Sequence, residues 1–300
     1  MNFYTNINRN ITKTYFLLFL FILLFGIFGY FISYYFKNQI FIYFALIYAI
    51  ISSFVGYWFS DKIILSMSNA KLINHNENEE LYHLIENLCI TSGLPMPKIY
   101  IIQDQSPNAF ATGRNPKNAV ICVTSGLLQT LNKAELEGVI AHELSHIKNY
   151  DILIASLVVV LATAITWLSH IILRMGNWNS KSDDNKNGYL SMIMLIALIS
   201  IAILSPIIAT LIQLAISRKR EFLADSSGVL ITRYPEGLIS ALQKISNYPN
   251  PMFKINDYTR NLYILDPAKQ KTSWFNKIWL THPPIEERIK VLQSKQDKIS

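Results

Sequence analysis

Four stretches of the chain, 15–36, 40–59, 152–173 and 189–216, are apolar and almost free of charge. Each is long enough to cross about 30 Å of hydrocarbon, which takes roughly 20 residues of helix. Four transmembrane helices are therefore expected, paired as two hairpins. Burial of the last two in a soluble core would demand helices longer than globular proteins ordinarily use. The first stretch, preceded by Arg9 and Lys13, outruns the roughly 7 to 15 apolar residues of a cleavable leader. Only Tyr34, Tyr35 and Phe36 stand where a small-residue cleavage site would be needed.

The intervening polar segments carry different periodicities. Leu81, Leu84, Ile85 and Leu88 recur at helical spacing and predict a helix over 77–92, ended by Gly93 and Pro95. Three extended segments follow at 98–103, 108–113 and 119–124, separated by turn-rich residues, enough for a small sheet. Asn132, with Glu135 three residues on, forms a capping-box pattern for a helix through Leu136, Ile140, Leu144 and Ile147. Further helices are predicted over 217–229, 235–246 and 284–296, whereas 247–277 has no clear period. The expected fold class is α+β, four transmembrane helices with a mostly helical domain that carries a small sheet. Its divisions are a tail (1–14), a membrane hairpin (15–59), the first part of the polar domain (60–151), a second hairpin (152–216) and the domain's second part (217–300).

Composition agrees with a membrane protein: 51% of residues are hydrophobic and the net charge is +7. Arg9, Lys13, Lys62, Lys71, Lys148 and Arg218 to Arg220 flank the apolar stretches on one side, against Lys37, Arg174, Lys181 and Lys186 on the other. The positive-inside bias places both termini and both polar segments in the cytoplasm. The charge then reads as orientation and attraction to an anionic lipid bilayer, and no basic, aromatic-interleaved patch calls for nucleic acid. With only Cys89 and Cys122, a disulfide framework and a Cys-rich zinc site are excluded.

The candidate chemistry sits at His142-Glu143-Leu144-Ser145-His146. Residues four apart share a helix face, so the two imidazoles can reach one tetrahedral ion, and Glu143, about 100° further round, can stand beside it without binding. Glu143 falls between Val139 and Leu136 on the edge of the apolar stripe, which suits a buried task. A five-residue match on a surface helix can also arise by chance. Glu221 is the candidate third ligand, since two membrane crossings return the chain to the face it left. Asp225, four residues on, could accept the second ring N–H of a ligating histidine. The plainer reading makes both the acidic half of a charged helix start beside Arg218, Lys219 and Arg220.

In order along the chain stand Asn108 to Arg114 (NAFATGR), His142 to His146 (HELSH), Arg220 to Asp225 (REFLAD) and Thr281 to Arg288 (THPPIEER). Taken together among four apolar stretches, they resemble the HtpX family of membrane zinc metalloproteases, HExxH peptidases of gluzincin-like type. The resemblance implies a cytoplasmic zincin-like catalytic domain with one Zn(2+) per chain, held by His142, His146 and Glu221. It makes Glu143 the general base and later the proton donor, and Asn108 and Ala109 the edge-strand segment that binds an extended peptide. His282 would donate to the developing oxyanion, although a histidine before two prolines also serves to shape a turn. Implied partners are polypeptide substrates, misfolded or damaged membrane proteins of a bacterial plasma (inner) membrane, cut at the cytoplasmic face. Oligomeric state is left open. Two alternatives stand beside it: a CAAX-type prenyl-protein endopeptidase, whose family carries more membrane spans than this chain can supply, and a non-catalytic scaffold with structural zinc, which would want a fourth protein ligand.

Overall fold

The computed structural model describes residues 3–178, 218–253, 256–267 and 283–296. Helices α1 (Phe3–Phe36) and α2 (Ile40–Met67) form an antiparallel hairpin, and α6 (Asp151–Trp178) packs against both. Among the described residues, three segments, Ile7–Phe36, Ile40–Met67 and Asp151–His170, are long and apolar enough to cross a membrane. The fourth expected span, 189–216, lies outside the described residues. Phe21 and Phe25 of α1, Ala49 of α2 and Leu157, Leu161 and Ile165 of α6 meet in one apolar cluster. The other faces of α1 and α2 turn Phe16, Phe19, Phe44 and Phe54 outward, as a lipid-facing surface requires. α1 starts well before the apolar stretch at Tyr15, and Asn10 and Thr14 in its early turns are buried.

The polar domain is built on a four-stranded mixed sheet of β1 (Lys71–Leu72), β2 (Lys98–Ile102), β3 (Ala109–Gly113) and β4 (Ala119–Thr124) in the order β1-β2-β4-β3. β2 and β4 run parallel, with Ile99 opposite Ile121, while β3 pairs antiparallel with β4, with Ala111 opposite Ile121. The apolar run of β4 is buried along its whole length, as a central strand covered on both faces requires. β3 is an edge strand. α3 (Glu79–Ser92) begins two residues later than its periodicity predicts, because the His75–Glu77 stretch closes as a 3-10 turn before Asn78 caps the helix. Gly93 ends α3 in the left-handed region that other residues avoid, at φ +69°. The sequence gives no sign of the two-residue β1 or of the short α4 (Ser125–Thr130), each below the length at which periodicity can register.

Helix α5 (Lys133–Lys148) crosses the centre of the domain. Its predicted capping box is present: Asn132 Oδ1 accepts from the Glu135 N–H at 3.0 Å, and Glu135 Oε2 accepts from the Asn132 N–H at 2.8 Å. α7 (Arg218–Thr232), α8 (Pro235–Asn247) and α9 (Ile285–Gln296) are the domain's later helices among the described residues. The core joins Ile99, Ile121 and Val123 of the sheet to Ile85 of α3, Ile140 and Leu144 of α5, and Leu238 and Leu242 of α8.

Candidate metal centre

α5 is packed by α3, α6, α7, α8 and β3, so it is buried well beyond the single apolar stripe legible in its sequence. Val139 to Ser145 are all buried, His142 and Glu143 among them. The polar face is covered because α7 lies directly on it. That approach requires Gly228, where a Cβ would stand only 3.1 Å from the backbone nitrogen of His142. With the helices this close, the first turns of α7 bring Glu221 and Asp225 to the histidine pair.

Three ligand atoms converge. His142 Nε2 lies 3.2 Å from His146 Nε2. Glu221 places Oε1 3.6 Å from His146 Nε2 and Oε2 3.8 Å from His142 Nε2. Ligands held about 2.0–2.1 Å from a tetrahedral ion are separated by about 3.3 Å, so this spacing suits one ion between them. Each histidine donates its other ring N–H to a carboxylate, His142 Nδ1 to Asp225 Oδ1 at 2.9 Å and His146 Nδ1 to Asp151 Oδ2 at 3.1 Å. Those bonds place a proton on each Nδ1 and aim the two Nε2 atoms at each other, an arrangement that repels unless a proton or a metal cation stands between. The donor set therefore fits a metal.

The electrostatics agree. Burial pushes His146 toward neutrality, yet the Asp151 hydrogen bond and the Glu221 and Glu143 carboxylates override it and raise its pKa to about 9. The pocket thus attracts positive charge. His142 moves the other way, lowered first by burial and then by Arg288, which Asp225 only partly offsets. Burial also opposes ionisation of Asp225, but the Arg288 guanidinium beside it holds its carboxyl down to about 2.

Arg288 is fully buried and grips Asp225 with two hydrogen bonds, Nε to Oδ2 at 2.9 Å and Nη2 to Oδ1 at 2.6 Å. Its Nη1 donates to the Ile264 carbonyl at 3.1 Å. Nη2 also approaches His142 Nδ1 to 3.4 Å, but both are donors that share Asp225 Oδ1, so this contact is crowding around a common acceptor.

Among the expected site residues, the structure thus gathers His142, Glu143, His146, Glu221 and Asp225 into one cluster, buried except at His146, which is partly exposed. Asn108 and Ala109 stand at the start of the β3 edge, already engaged by the chain itself. The Ala109 carbonyl accepts the Ile264 N–H at 2.9 Å, and Asn108 Nδ2 donates to the Leu265 carbonyl at 2.8 Å. His282 lies outside the described residues. Motif reading misses two members of the cluster, Asp151 and Arg288. Arg288 closes the Thr281 to Arg288 run, where attention falls on the histidine; Asp151 follows His146 by five residues, across a helix boundary that helical spacing does not bridge.

The chain matches the model of peptidase family M48 over residues 75–296. A "Protease HtpX homolog" of Streptococcus gordonii is 46% identical over 235 residues, 77% of this chain and 78% of that protein. Proteins of the same description from Tropheryma whipplei and Dictyoglomus turgidum are 43% and 42% identical, each over 97% of this chain. Among solved structures, Ste24p of S. mikatae superposes with a TM-score of 0.52 at 18% identity. That match covers 96% of this chain but 65% of the longer one, and at such identity it bears on the fold alone.

Proposed function

The chain belongs to peptidase family M48, as a membrane metallopeptidase of the HtpX kind, and from that premise we propose that it is a zinc-dependent endopeptidase cutting misfolded or damaged membrane proteins at the cytoplasmic face. The observation that carries this reading is the convergence of His142, His146 and Glu221, each histidine backed by its own carboxylate.

Zinc bound by these three residues would polarise the scissile carbonyl and acidify a water, the two things peptide hydrolysis lacks at neutral pH. Glu143 is held inside the same pocket, close enough to act electrostatically on His146, where it can take the proton of the attacking water and return it to the leaving amine. Asp225 and Asp151 keep the imidazoles oriented with their protons on Nδ1. Arg288 keeps Asp225 ionised. His282 is assigned the donor role at the developing oxyanion, and its replacement by Ala should lower kcat while sparing zinc affinity.

An extended substrate is proposed to pair with the β3 edge, where main-chain bonds hold a peptide with little regard to its sequence. Because Ile264 and Leu265 already hold Ala109 and Asn108, a substrate entering that register displaces them. The lysine and arginine distribution and the HtpX likeness support the cytoplasmic, plasma-membrane setting.

The test is incubation of the detergent-purified protein with an unfolded polypeptide, with and without a chelator. Cleavage should require zinc and vanish in Glu143→Gln with the metal still bound. A purified Gln variant that cuts at the wild-type rate would remove Glu143 from the reaction.

A further inference from the structure

Two hydrogen bonds tie the first membrane helix to the residues behind the metal centre. Asn10, in the early turns of α1, is 5% exposed and uses both amide hydrogens, donating to the Asn149 carbonyl at 2.8 Å and to Asp151 Oδ1 at 2.9 Å. The two acceptors flank Tyr150, which takes a left-handed conformation (φ 60°) at the elbow between α5 and α6. A non-glycine residue in that conformation is strained and persists only where its surroundings over-determine it. Asn10 clamps both sides of that elbow. It also satisfies a carbonyl at the end of α5 that no intrahelical N–H can reach.

We infer that Asn10 is a positioning residue for the metal site, acting through Asp151 on His146. Asp151 divides its oxygens between two tasks. Oδ1 takes Asn10 and the Arg220 guanidinium, the latter at 3.2 Å, and Oδ2 is thereby turned to His146 Nδ1 at 3.1 Å. Thr14, one turn further along α1, is fully buried as well, so this stretch of α1 is packed against its neighbours. The first membrane helix is in this way a support of His146 as well as an anchor.

The inference rests on His146 being a metal ligand, as proposed above. Three variants of the full-length protein in detergent separate the possibilities: Asn10→Ala, Asn10→Asp and His146→Ala, each assayed for zinc affinity by chelator competition and for kcat and KM on an unfolded protein. Asp is nearly isosteric with Asn but offers only acceptors to a carbonyl and a carboxylate. A positioning role therefore predicts that Asn10→Asp binds zinc more weakly than Asn10→Ala, with about tenfold loss for Asp, reduced kcat and little change in KM. The size of the loss follows from removing the partner of a ligating histidine, which costs about 10–100-fold, applied here one contact further out. A role in packing alone predicts the reverse order, and that result, or wild-type affinity in Asn10→Asp, overturns the inference. Should Asn10→Asp fail to fold, the pair Asn10→Ala and Asp151→Asn supplies the test. Their losses of affinity should fall short of adding in the double variant, because both act through one contact, and additive losses overturn the inference. His146→Ala should abolish tight binding; if it does not, the ligand assignment fails first.

Discussion

Replacing Asp225 with Asn alters the centre by one charge and almost no volume. The side chains of Asp225 and Arg288 are 1% and 0% exposed, so the substitution leaves a guanidinium buried without its partner. Glu221 is then the carboxylate left beside it, its Oε2 3.9 Å from Arg288 Nη1. Removing one member of a buried pair costs about 3–5 kcal/mol, and the residual attraction of Glu221 points to the lower end, about 3 kcal/mol. The same change weakens the acceptor behind His142 Nδ1, for which loss of zinc affinity by about 10–100-fold is expected, or about 1.4–2.8 kcal/mol. Denaturant unfolding of the metal-free protein reads the first quantity, and chelator competition reads the second. An Asn variant with an unchanged unfolding midpoint and zinc affinity within twofold of wild type would refute the reasoning. A drop in stability alone would restrict Asp225 to holding Arg288.

Gly228→Ala should destabilise the domain by about 1 kcal/mol, since crowding against the His142 backbone at 3.1 Å outweighs the gain in helix propensity of up to about 1 kcal/mol; a more stable variant with unaltered zinc affinity would contradict it. Glu135 is buried, which by itself raises its pKa, but bonds from Lys244, Ser240 and the Asn132 N–H bring it below the ordinary 4.5. A depressed folded pKa means this stabilisation is full above about pH 4.5 and is lost as pH falls through the folded value. Unfolding curves should therefore show Glu135→Gln weaker than wild type by about 1.5–3 kcal/mol at pH 7, with the gap closing in acid. In the Glu143→Gln background, a bound unfolded peptide should speed hydrogen exchange at residues 263–266, and continued protection of the Ile264 amide would mean that substrate binds elsewhere.

The legible parts of this protein are those that repeat or that sit within one helix. Apolar stretches announced α1, α2 and α6; the Asn132 and Glu135 capping box announced α5; and spacing of four brought His142 to His146 and Glu221 to Asp225 onto common faces. What stayed hidden was assembled from distant pieces. Asn10 and Asp151 are 141 residues apart and Asp225 and Arg288 are 63, so no local period joins them. The Ile264 pairing with Ala109 was hidden for a related reason: a segment without periodicity offers no register until the edge it meets is known.

Zinc-edge X-ray absorption on the metal-loaded, detergent-solubilised protein tests the centre most directly. Two imidazole nitrogens with carboxylate and water oxygens, all at about 2.0–2.1 Å, one ion per chain, are expected, with the signal lost in His146→Ala. A sulfur shell near 2.3 Å, or full zinc occupancy in that variant, would contradict a site made by His142, His146 and Glu221.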